Sequence, residues 1–180
     1  MNGHLSNSMI EEQLLLVAGQ LTGFCSSLSE ADFFYQPDGK WSPAQQVRHL
    51  TIATKTSLLA FTLPKFIVRS VGGKPNRASR TYDELVAKYK LKLQQGGKST
   101  KRYIPKPISA DIGTHTLLNA FYASMKRMST AINKKWKEDQ PDQYIVGHPL
   151  LGKITIRELG YFNIYHTLHH LESIRKIVAR

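Results

Sequence analysis

Seven histidines stand in this chain, at positions 4, 49, 115, 148, 166, 169 and 170. The last three are spaced for joint work on one helix. Side chains three or four apart are neighbours on a helix surface, so His166/His169 and His166/His170 could each converge on a divalent metal ion. A helical wheel separates the two pairs. At about 100° per residue, with His166 at zero, Ile156, Leu159, Ile174 and Ile177 share one arc and His170 falls inside it. His169 falls on the other side, near Glu158 and Lys176, and is expected to meet solvent. His170 is therefore the inward partner of His166. His49 lies in another helical pattern, on a face shared with Ala53, Thr56 and Ala60. Small neighbours leave room beside an imidazole, as an ion with an open coordination position requires. A histidine hydrogen-bonded in the core is the alternative reading at His49. Two adjacent buried imidazoles, by contrast, need a common partner.

Other chemistry leaves weaker marks. The run His-Thr-Leu-His-His lacks the glutamate of H-E-x-x-H, which argues against a zinc protease. Asn163 shares the inward arc of the wheel and is a candidate to support the metal-binding histidines; a buried asparagine bonded to nearby backbone is the equal alternative. Tyr122 and Tyr165 could border a pocket, although aromatic packing is the expected role of both. The single Cys25 excludes an intramolecular disulfide. Its neighbours Leu21, Phe24 and Leu28 mark it as a core cysteine rather than a nucleophile.

The elements that must position these residues are helices. A first helix is expected from Ser8 to Leu28, with Ile10, Leu14, Val17, Leu21 and Phe24 recurring at three and four. Ser42, Pro43 and Gln45 form a capping box with proline at the first helical position, and this second helix should reach about Arg69, bent at Pro64. Gly72-Gly73 breaks it. Thr81 and Glu84 open a shorter helix that Gly96-Gly97 ends. A third main helix follows from about Thr114 to Lys137, then a loop through Gln140–Pro149. Thr155 and Glu158 cap the last helix, which runs to the end. No run alternates convincingly at period two. The expectation is an all-α single domain over 1–180, four long helices and one shorter, arranged as a bundle.

Charge is uneven. The net is +12, and residues 65–106 hold twelve Lys/Arg against Asp83 and Glu84, a net of +10. Such a segment attracts anionic partners in principle, but no nucleic-acid-binding motif accompanies it. Residues 72–80 and 97–110 are expected to be surface loops with exposed cations. No apolar stretch reaches spanning length and no signal-type run opens the chain, so a soluble cytoplasmic protein with no membrane partner is expected.

Trp41-Ser42-Pro43 followed by Val47, His49 and Leu50, together with His166-x-x-His169-His170-x-x-x-Ile174, resembles the DinB-like superfamily of small bacterial bundle proteins. The approach His148-Pro149-Leu150-Leu151-Gly152-Lys153 is similar to members as well. The resemblance implies an up-down-down-up four-helix bundle, often a homodimer. It also implies one metal ion, commonly nickel or zinc, held by one histidine of the second main helix and two of the last: His49, His166 and His170. Gln45 stands where many members carry an acidic residue, and Glu172-Ser173 replaces a frequent Gly-Gln. Neither departure removes a ligand.

Three neutral imidazoles leave coordination positions open, as in a catalytic rather than a structural site. Such an ion lowers the pKa of a bound water to about 7 or holds a thiol as thiolate. The first supports hydrolysis. The second supports transfer of a low-molecular-weight thiol, an activity the resemblance implies. One reading is thus a metal-dependent hydrolase or thiol S-transferase acting on a small molecule. The other is a non-catalytic metal-binding or nucleic-acid-associated stress-response module using the basic segment, which salt-dependent DNA binding would mark. Imidazole suits zinc, nickel, copper and iron alike, and no residue declares a catalytic role.

Overall fold

Three of the expected helix starts carry reciprocal caps in the computed structural model, which describes residues 3–179. Ser42, Thr81 and Thr155 each accept from the backbone N–H three residues on. The side chains of Gln45, Glu84 and Glu158 accept in return from the cap N–H groups. These caps open α3 (Pro43–Thr62), α5 (Tyr82–Gln94) and α7 (Ile156–Val178). The other helices are α1 (Asn7–Ser26), the short α2 (Glu30–Phe34), α4 (Lys65–Gly72) and α6 (Thr114–Lys135).

Three expectations need correction, the first being the count of four long helices and one shorter: α2 adds a turn after α1 where none was expected, capped by Ser29, whose side chain accepts from the Asp32 N–H. Pro64 ends its helix instead of bending it: Leu63 is extended (φ −61°, ψ 151°) and α4 starts afresh after Pro64. A residue before proline avoids the helical region, and proline offers no N–H to continue the ladder. The loop expected after Gln140 holds an antiparallel hairpin, β1 (Ile145–His148) with β2 (Gly152–Thr155), in register from Ile145↔Thr155 to His148↔Gly152. Among the described residues the chain is therefore mostly helical, as expected, with one small two-stranded sheet added. Strands of four residues are too short to display alternation.

α1 packs on α6 and α7, and α3 packs on the same two helices. One apolar core lies among them, with Ile10, Leu14, Leu50, Phe121, Met125 and Tyr161 fully enclosed. Cys25 belongs to that core, and burial pushes its thiol up to about 12. α5 leans on α7, while α4 touches β1. That last contact depends on Gly72, since a Cβ there would stand 1.7 Å from the Ile145 carbonyl oxygen. Among the described residues no helix is long and apolar enough to cross a membrane.

The basic segment divides. Lys74, Lys98, Lys101, Arg102 and Lys106 are exposed as expected. Arg77 and Arg80 instead fold onto Glu158, at 2.8 and 3.0 Å. Glu158 was expected on the polar side of α7, yet its side chain is fully buried. The backbone N–H groups of Arg80 and Thr155 also donate to it. Burial alone would raise its carboxyl, but these hydrogen bonds outweigh that and hold it below the ordinary carboxylate value.

Candidate metal centre

His49 sits in the second turn of α3, and His166 and His170 are one turn apart on α7. Because α3 and α7 pack directly, the three imidazoles meet in the core, each no more than 9% exposed. His166 Nε2 lies 3.1 Å from His49 Nε2 and 3.2 Å from His170 Nε2. One ligand atom from each ring falls within 4.8 Å of the others.

The opposite edges of two rings are held. The Tyr103 carbonyl, 2.7 Å from His49 Nδ1, can only accept, so Nδ1 carries the proton. His170 Nδ1 donates to Gln46 Oε1 at 2.8 Å. The Gln46 amide is oriented in turn by donation to the Trp41 carbonyl at 3.4 Å. In neutral His49 and His170 both Nε2 atoms are therefore bare acceptors, and both face His166. Trp41 lies 4.9 Å from His49, centroid to centroid, and stacks on His170 at 6.5 Å; Phe162 stacks on His166 at 4.7 Å.

Burial holds His166 and His170 well below the ordinary histidine value, and the neighbouring histidines add to the effect. His49 is lowered by burial too, partly opposed by its bond to Tyr103. His148, packed on Phe162 and accepting from the Leu150 and Leu151 N–H groups, is pushed down to about 4 by burial. Depressed histidines mean that the folded state binds fewer protons than the unfolded one. Their contribution is whole above the unfolded value of 6.5 and is lost as pH falls below it, through about 4 in the case of His148. Metal-free protein is accordingly expected to lose stability as pH falls from 6.5 through that window, with proton uptake on unfolding. Urea titrations at a series of pH values check this, and a flat profile across that window would show the rings to be protonated when folded.

The other sequence candidates fare differently. His169 is half-buried, not solvent-facing, because Tyr89 of α5 stands edge-on against it; it borders the site without joining the cluster. Asn163 is buried but donates to the Leu159 carbonyl (2.8 Å) and Ser57 Oγ (3.1 Å). That is the backbone-bonded alternative, and no described bond links it to an imidazole. Tyr122 is surface-exposed, and Tyr165 packs edge-on against Tyr89. The residues that do orient the histidines, Gln46 and Tyr103, escaped the sequence reading. Gln46 stands three before His49 on the same helix face, which was a usable signal. A backbone carbonyl in the loop after Gly97 leaves none.

Beside the rings lies a cavity of about 440 Å³. Its walls are mostly apolar, from Ala53 and Ala60 of α3, Val68 of α4, Leu150 of the hairpin turn, and Leu159 and Phe162 of α7. Lys98 also lines it, so the basic loop is not wholly a bystander to the site.

The family model described as the DinB superfamily matches residues 13–174, a span that includes all three histidines. No curated protein matches the chain.

Proposed function

This chain belongs to the DinB superfamily, and from that premise we propose that His49, His166 and His170 bind one divalent metal ion, zinc or nickel, at the head of a small-molecule site. The observation that carries the reading is the pair of bare Nε2 atoms facing a third. A proton on His166 Nε2 serves one of its two neighbours well; a cation serves all three lone pairs at once. The spacing suits such an ion. Two nitrogens about 2.0–2.1 Å from zinc stand roughly 3.3 Å apart in a tetrahedral site, close to the 3.1 and 3.2 Å seen here.

When bound, the ion supplies the Lewis acidity that makes a water or a thiol a nucleophile near neutral pH. The chain's own residues do the rest. The Tyr103 carbonyl and Gln46 fix tautomer and ring orientation, as partners of metal-bound histidines do. Trp41 and Phe162 pack on the rings and restrain their planes. The cavity is of the size that takes a small ligand and favours a metal-dependent hydrolase or thiol S-transferase over a non-catalytic module acting through surface charge. The packing of α1, α3, α6 and α7 fits an up-down-down-up bundle, which accounts for a helix-borne site in the interior.

Zinc titration of tag-free protein against a competing chelator tests the proposal. One ion per chain is expected. Gln46→Leu, which removes the acceptor of His170 while keeping bulk, should weaken binding about 10–100-fold. Unchanged affinity in that variant would place the ion elsewhere.

A further inference from the structure

The cavity has a direction. Its α3 side runs from His49 through Ala53 and Ala60 to Leu63, the extended residue just past the helix end, about 20 Å at the 1.5 Å rise of a helix. Its two ends differ in chemistry. At one end are the three imidazoles, with the Tyr103 carbonyl on His49. At the other, Leu59, Leu63 and Val71 line the cavity and are also 52%, 39% and 83% exposed. The mouth is thus apolar and open. Large exposed apolar side chains grouped around an opening mark a place where apolar surface is meant to be covered. Among the described residues no aspartate or glutamate lines the cavity, whereas Lys98 and the histidines do.

We propose that this site takes a single-chain amphiphile, its monoanionic head at the histidine end and one unbranched apolar tail laid along α3 toward the Leu63–Val71 mouth. The head's place rests on the metal reading; the tail's does not. Charge complementarity selects the anionic head, since the described lining holds Lys98 and no carboxylate. The tail is selected by walls that offer hydrogen bonds at few points, Thr56 and Ser57 among them. A compact, multiply charged substrate would leave most of this surface without a partner.

Calorimetry with butanoate, octanoate, dodecanoate and hexadecanoate, each below its micelle threshold, tests the assignment, using the full chain both zinc-loaded and metal-free. Each added methylene should tighten binding about fourfold, the ratio that roughly 0.8 kcal/mol per buried CH₂ implies, with the same slope in both forms. Ala60→Trp, which narrows the outer part of the cavity, should leave butanoate within about twofold and weaken hexadecanoate at least tenfold, two or three methylenes' worth. Val71→Asp, a surface change at the mouth, should weaken hexadecanoate alone. Zinc binding without any dependence on chain length would overturn the proposal and leave the metal reading intact. A slope that both variants leave unchanged would also overturn it, since the tail would then lie elsewhere. A slope sensitive to Ala60→Trp in protein that does not bind zinc would uphold the tail site and remove the metal.

Discussion

Glu158→Ala will destabilise the protein by about 3 kcal/mol, the lower end of what deleting one partner of a buried ion pair costs. The carboxylate is fully buried and accepts from Arg77, Arg80 and two backbone N–H groups, those of Thr155 and Arg80. Its loss strands both amides and removes the reciprocal cap that starts α7. The figure stays at the lower end because the arginine side chains, 32% and 23% exposed, can turn to water. Glu158→Gln keeps an acceptor and should cost less. The effect reaches the three-histidine cluster through α7, since this cap sets where that helix begins and so where His166 and His170 stand. Urea unfolding measures the cost. A loss under about 1 kcal/mol would mean that residues 73–81 are held to α7 by other contacts.

The features of the fold legible in the sequence were those set within a few residues. Each capping box is a local exchange of hydrogen bonds, so Ser42/Gln45, Thr81/Glu84 and Thr155/Glu158 marked their helices directly. The hairpin was not legible, because β1 and β2 draw their order from each other and from α4 through Gly72. Glu158 was misjudged for a related reason. A wheel sorts residues by type, and a glutamate counts as polar until its partners are known. Arg77 and Arg80 lie 81 and 78 positions away.

The same division runs through the site. The choice of His170 over His169 was legible because an apolar arc on one helix already carries the direction of the core. The place of His49 opposite His166 needed the packing of α3 on α7, which in the sequence rested on a family resemblance. Tyr103 is the clearest case of what no pattern could show: its side chain is incidental, and what matters is a carbonyl delivered to His49 Nδ1 by the loop after α5.

Thermal melts of wild type, His170→Ala and His169→Ala, each with and without zinc at neutral pH, test the central claim most directly. Ion at 100 times its dissociation constant stabilises the wild type by about 2.7 kcal/mol. For a chain of this size that raises the melting temperature by roughly 5–10 °C. His169 borders the cluster without joining it, so His169→Ala should keep most of the rise. His170→Ala removes an imidazole bonded to Gln46 and stacked on Trp41 and should abolish the rise while leaving a protein that still melts cooperatively, because the core of α1, α3, α6 and α7 does not depend on the ion. A rise that His170→Ala keeps and His169→Ala loses, or no rise in any of the three, would contradict a metal centre built from His49, His166 and His170.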